Sequence, residues 1–171
     1  MFTGDYMENK SVFDAGPFIH LHEIGQLNLL HLFVKVLTTS EIVGECQRIK
    51  TIILKIKNVG EKNLTPQSKD FTRYLVEKYG LDLGESTGIA LCKQEQVGIF
   101  FTDDLEAKEA AIHLGFGAHG TIAIIMRALR NDLLTRKEAI EILNLLYEKS
   151  TLFLTKDLKD WVILEILKFK K

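Results

Sequence analysis

Short apolar runs alternate along this chain with longer stretches in which apolar residues recur at helical spacing. That alternation predicts an α/β fold: a three-layer α/β/α sandwich around a twisted, mainly parallel central sheet. Ser11 to Asp14 is a short apolar approach to an acid. From Phe18 to Phe33, residues Leu21, Ile24, Leu27, Leu30 and Phe33 recur at every third position, and Gly25 breaks the stretch in two. Val34 to Leu37 reads as a second strand. Thr38 and Glu41 match a capping box and open a helix running to about Lys50. Thr51 to Val59, TIILKIKNV, is rich in β-branched residues and reads as a strand. Thr65 and Pro66 open another helix, as cap and first helical residue, which stops at Gly80. Leu83 to Lys93 is a further helix. Val97 to Phe101 is the clearest strand, and Asp103 to Leu114 a helix closed by Gly115. Thr121 to Leu134, Arg136 to Tyr147 and Leu158 to Leu167 complete the pattern as helices.

The length, 171 residues, fits one domain over 11–171 behind a short polar extension over 1–10. Apolar residues make 46% and charged residues 26%, an ordinary globular balance. The net charge of −1 excludes a strongly basic coat and an acidic tail, but not a local basic patch. The two cysteines, Cys46 and Cys92, fit no zinc or redox spacing and point to a reducing compartment. Met1 to Lys10 lacks the apolar segment of a secretory signal, and no run is long enough to span a bilayer. The expectation is a soluble, cytoplasmic protein.

Acids fall where strands should end. Asp14 follows Ser-Val-Phe directly, and Asp103 and Asp104 follow Gly-Ile-Phe-Phe-Thr. In an open parallel sheet ligands bind at the carboxyl ends of strands, so neighbouring strands would make these carboxylates converge. Glu45 stands among Ile42, Val43 and Cys46, and Glu85 among Leu83, Gly84, Ile89 and Ala90. An acid on the apolar side of a helix is costly unless something pairs it. A cluster of carboxylates without matching basic residues fits a divalent cation, and hard oxygen ligands select Mg²⁺ or Mn²⁺. Each acid also has an ordinary role open to it. Asp103 or Asp104 could cap a helix, Glu41 belongs to the capping box, Glu45 could pair with Arg48 or Lys50, and Asp82, the runner-up to Glu85, reads as a turn or cap residue.

The joint order of these acids resembles the PIN domain family of metal-dependent ribonucleases, in particular stand-alone archaeal and bacterial members related to VapC-type toxins. The resemblance runs through VFDAGPFIHLHEIGQLNLL, VLTTSEIVGEC, LDLGESTGIALC, FFTDDLEAKEAAIHLG and GAHGTIAIIMRALRNDLL, covering roughly residues 11 to 134. It implies that Asp14, Glu45 and Glu85 match the family's first three acids. The fourth falls on Asp103 or Asp104, and the sequence leaves open which faces the metal. It implies Thr102 as a partner of a carboxylate or a water. It also implies Mg²⁺ or Mn²⁺ activating water to hydrolyse RNA. A toxin-like member would be covered by a small antitoxin protein and form a homodimer. The chain departs from the commonest family pattern at Thr39, where many relatives have proline, and at Gly44, where many have an extra acid.

Other motifs carry less. Gly115 to Gly120 spells GxGxxG but follows a helical stretch, so it reads as a helix stop, a short strand and the opening of the next helix. No Walker loop, GxSxG or HExxH occurs. The histidines His20, His22, His31, His113 and His119 show no ligand spacing. Lys108, Arg127, Arg130 and the tail residues Lys168, Lys170 and Lys171 are candidate phosphate contacts for single-stranded or looped RNA. The alternative from another class is a non-catalytic nucleic-acid-binding module on the same fold.

Overall fold

The computed structural model describes residues 10–169. Five strands, β1 (Lys10–Phe13), β2 (Lys35–Thr39), β3 (Val59–Lys62), β4 (Ile99–Phe101) and β5 (Gly117–His119), form one parallel sheet in the order β3-β2-β1-β4-β5. The helices are α1 (Ala15–Glu23), α2 (Ser40–Glu45), α3 (Lys50–Ile53), α4 (Pro66–Tyr79), α5 (Leu83–Gln94), α6 (Leu105–His113), α7 (Thr121–Arg130), α8 (Arg136–Lys149) and α9 (Lys156–Lys168). A 3-10 turn over Leu27–Leu32 follows α1. Among the described residues no helix is long and apolar enough to cross a membrane.

Side-chain alternation along the strands builds two cores. Phe13, Val36 and Phe101 face a cluster that includes residues of α1, the 3-10 turn, α7, α8 and α9. Val12, Leu37 and Phe100 face the opposite way, against α4, α5 and α6. Both faces of the sheet are covered, so its central strands read as unbroken apolar runs. Phe13 stacks on Phe101 at 4.7 Å between ring centroids, and Phe33 meets both rings edge-on at 5.1 Å. Such pairs add about 0.5–1.5 kcal/mol each beyond burial, and they lock β1 to β4 directly beneath the acids. Gly25, with φ +67°, ends the first helical stretch as expected, and Gly80, with φ +68°, closes α4 in the left-handed conformation that glycine adopts without penalty.

The chain leaves β1 for β2 and β3 on one side, then crosses back through α4 and α5 to β4 on the other. The strand order therefore reverses between β1 and β4, which is where a parallel sheet opens a crevice for a ligand.

Several boundaries differ from the sequence expectations. β1 begins at Lys10, paired with Lys35, whereas that residue was counted in the extension; residues 1–9, and Lys170 and Lys171 of the basic tail, lie outside the described residues. β2 starts after Val34, which is 67% exposed, and continues through buried Thr38 and Thr39. The Thr38–Glu41 capping box does not form, because Thr38 is paired with Glu61 in the sheet and Thr39 caps α2, accepting from Ile42 N at 3.3 Å. That helix ends at Glu45 rather than near Lys50.

The strand expected over 51–59 is instead α3 and a turn, and β3 occupies Val59–Lys62. The cause is tertiary. Asn58 Nδ2 donates to the carbonyls of Leu30 and Phe33, both at 2.8 Å, and so pins the following residues against β2. An edge strand there can be as polar as Val-Gly-Glu-Lys. The expected 121–134 helix stops at Arg130, and α9 starts at Lys156 under a Thr155 cap. Gly115 to Gly120 holds β5 between a helix stop and the Gly120 cap of α7, as the sequence indicated.

Candidate functional site

Asp14 and Thr102 leave adjacent strands side by side. Val12 pairs with Phe100 and Phe13 with Phe101, and Asp14 N donates to Phe101 O at 2.9 Å. Asp14 stands at the cap position of α1 without using its side chain as a cap. Thr102 Oγ1 instead donates to Asp14 Oδ2 at 2.8 Å, while the buried Oδ1 has no hydrogen-bond partner. The residue is 6% exposed. Burial pushes its carboxyl up to about 6; the Thr102 bond and the Ala15 amide oppose this, and the charges of Asp82 and Asp103 add to it.

Glu45 and Glu85 come from helices that approach closely. Thr39 Oγ1, at the start of α2, lies 2.8 Å from Thr87 Oγ1 on α5. Glu45 is the last residue of α2, and its carboxylate rests on Gly84: a Cβ at that glycine would stand 2.0 Å from Glu45 Oε1. Burial of the carboxyl, with the charges of Asp82 and Asp14, raises Glu45 to about 7. Glu85 lies in the first turn of α5 in a capping box with Asp82. Its amide donates to Asp82 Oδ1 at 2.8 Å, and Asp82 N donates back to Glu85 Oε2 at 3.1 Å. Burial raises Glu85 to about 7 against the Asp82 amide bond, with Asp82, Asp104 and Asp14 as negative neighbours.

The adjacent aspartates behave differently from one another. Asp103 Oδ1 accepts from Thr121 N at 2.7 Å, and Oδ2 accepts from Thr121 Oγ1 at 2.6 Å and from His20 Nδ1 at 2.7 Å. Burial works against its charge, but the bonds from His20 and Thr121 outweigh it and hold the carboxyl below its ordinary value. An ionised Asp103 has no proton to give, so His20 Nδ1 carries the hydrogen. Asp103 thereby ties α1 and α7 to the end of β4. Asp104 is exposed and caps α6, with Oδ1 accepting from Ala107 N at 2.8 Å and its amide donating to Thr102 Oγ1 at 3.2 Å.

The structure thus gathers Asp14, Glu45, Glu85, Asp103 and Asp104 around the crevice, and adds Asp82. The neighbouring charges that act on Asp14, Glu45 and Glu85 are all carboxylates. Among the described residues no three His, Cys, Asp or Glu side chains form a ready-made set of metal ligands. The donor chemistry nevertheless fits a hard divalent ion: a buried orphan oxygen on Asp14, surrounded by carboxylates whose repulsion a cation would relieve. Asp103 fits least, since both its oxygens are already bonded within the protein.

Sequence reasoning did not find the roles of His20 and Thr121, and it set Asp82 behind Glu85, as a runner-up that reads as a turn or cap residue. Asp82-Leu83-Gly84-Glu85 spells a capping box, which announces the cap but not the closeness of Asp14 and Glu45. His20 and Thr121 carry no local signal, because their partner lies on another element.

No curated protein matches the sequence. The family model described as PIN domain matches residues 10–166. Over that span the chain belongs to the PIN domain family, whose members are typically nucleases that commonly use divalent metals.

Proposed function

We propose that the chain is a metal-dependent endoribonuclease in which Asp14, Glu85 and Asp104 hold Mg²⁺ or Mn²⁺. The observation that carries this reading is the buried, unpartnered Oδ1 of Asp14, whose neighbouring charges are the carboxylates of Asp82 and Asp103. A bound ion supplies Lewis acidity at the phosphate and lowers the pKa of water. Thr102 fixes the rotamer of Asp14 so that Oδ1 stays turned away from the bond it makes through Oδ2. Glu45, raised to about 7, is suited to take a proton from water near neutral pH. Asp103 positions the crevice by holding α1 and α7 to β4 rather than by binding the ion.

The test is cleavage of an end-labelled RNA beside a DNA of matched sequence, with Mn²⁺, Mg²⁺ or chelator. The expected result is metal-dependent cutting of the RNA that Asp14→Asn abolishes in a folded protein. Full activity in that variant would overturn the site. RNA binding with no cleavage at any metal concentration would assign the chain to the non-catalytic module instead.

A further inference from the structure

We propose that His20, with Thr121, withholds Asp103 from the ion and is thereby the positioning residue that sets how many carboxylates the metal meets. The proposal rests on the nuclease reading and adds to it what fixes the charge around the ion. Asp103 is close enough to matter, since its charge acts on the Asp14 carboxyl. Its side chain is nevertheless held in a cage. Oδ1 accepts from Thr121 N at 2.7 Å, and Oδ2 accepts both from Thr121 Oγ1 at 2.6 Å and from buried His20 Nδ1 at 2.7 Å. Two glycines form the walls. A Cβ at Gly16, two residues past Asp14, would stand 3.4 Å from Asp103 Oδ2 and 3.6 Å from His20 Cε1. A Cβ at Gly120 would stand 2.5 Å from Asp103 Oδ1, so a side chain there would crowd the carboxylate out.

Withholding has a chemical consequence. Asp14, Glu85 and Asp104 together already outweigh the charge of a divalent ion. A fourth carboxylate tightens the grip on the cation, because affinity for hard ions follows the charge count of the oxygen ligands. It also makes the centre more negative. Such a centre polarises water and phosphate less, and it repels the anionic phosphodiester more. Donors from α1 and α7 that keep Asp103 occupied therefore lower metal affinity and keep the centre electrophilic. Affinity and turnover respond to the loss of these donors with opposite sign, whereas a merely loosened site would lose both.

The experiment measures Mn²⁺ binding by calorimetry, and RNA cleavage at saturating Mn²⁺, on the full chain and on variants checked for folding by circular dichroism. Removing both side-chain donors, as His20→Ala with Thr121→Val, should tighten Mn²⁺ binding roughly tenfold, in line with one added charged ligand, and should slow cleavage. Adding Asp103→Asn to that pair should return the affinity to the wild-type value, which assigns the gain to Asp103. His20→Asn places an amide donor where Nδ1 stands and should keep wild-type affinity and turnover. On the wild type itself, saturating Mg²⁺ should leave the Nδ1–H proton resonance of His20, assigned by its absence from His20→Asn, in place.

Wild-type binding with unchanged or weaker affinity in the double variant would overturn the proposal and leave the nuclease reading intact. Loss of the His20 resonance on adding Mg²⁺ would do the same, because it would show Asp103 turning to the ion. Should the double variant not fold, that resonance alone decides. Failure of the wild type to bind either ion would overturn the metal site itself and this proposal with it.

Discussion

Thr102 Oγ1 donates to Asp14 Oδ2 across 2.8 Å, joining the ends of β1 and β4 and leaving Asp14 Oδ1 buried without a partner. The threonine supplies a donor that favours the charged carboxylate in a place where burial opposes it. Thr102→Val keeps the shape and removes the donor. It should cost about 1–3 kcal/mol, the range for leaving a buried polar group unmade. Loss of the donor moves the folded Asp14 carboxyl further above about 6, so the deficit should grow as pH rises past that value. Urea denaturation in chelator at pH 5 and pH 8 measures it; an equal deficit at both would detach Thr102 from the charge of Asp14.

Asp14→Asn should act in the opposite sense in the metal-free protein. The folded carboxyl is raised from 3.8 to about 6, so the folded state holds its proton longer than the unfolded state does. Wild-type stability is therefore higher below the unfolded pKa and falls as pH rises through the folded value. The shift corresponds to at most ~3 kcal/mol, and burying an amide NH₂ in place of the orphan oxygen takes back part of that. The variant should gain about 1–2 kcal/mol over wild type at pH 8 and little at pH 4. Adding Mn²⁺ at pH 8 should raise the thermal midpoint of wild type and leave the variant unmoved.

Gly84 and Gly88 lie one turn apart on α5 and separate function from packing. A Cβ at Gly88 would stand 2.6 Å from Phe100 Cε2, in the buried contact between α5 and β4. Gly88→Ala should cost roughly 1–3 kcal/mol by overpacking. A Cβ at Gly84 would meet the far end of Glu45, which can swing aside. Gly84→Ala should leave the denaturation midpoint near wild type and reduce RNA cleavage by about tenfold, less than the roughly 10²–10⁴-fold that losing a positioned acid–base group costs, because Glu45 is shifted and not removed. Normal cleavage would mean that Glu45 does not need its place beside Gly84.

Legibility in the sequence followed the locality of the cause. The strand ending at Phe101, which starts at Ile99 and not at Val97, and the Thr65–Pro66 helix start were readable because neighbouring residues determine them. The acids at strand ends were readable because a parallel sheet places strand ends and ligand crevice together, and β1 and β4 are adjacent. The strand placed over 51–59 failed because Asn58 anchors the chain to carbonyls of the 3-10 turn and its exit, more than twenty residues earlier, and β3 follows from that anchor. The difference between Asp103 and Asp104 could not be read for the same reason: His20 and Thr121 lie on α1 and α7, far away in sequence.

That difference yields the sharpest test. Asp104 is exposed and caps α6 through Oδ1, and asparagine caps a helix about as well as aspartate does. Asp104→Asn should therefore keep wild-type stability within about 0.5 kcal/mol, while losing metal binding and RNA cleavage. Asp103 is bonded through both oxygens, and its carboxyl is held below the ordinary range. The stability it contributes is complete above the unfolded value, near ~4, and is lost as pH falls through the folded one. Asp103→Asn should cost about 1.5–3 kcal/mol at pH 7, as for weakening hydrogen bonds to a charged group, and should flatten the loss of stability on acidification below pH ~4. Metal affinity, measured by calorimetry on the folded fraction, should survive in Asp103→Asn and vanish in Asp104→Asn. The reverse pattern would exchange the roles of the pair and place the ion against α7.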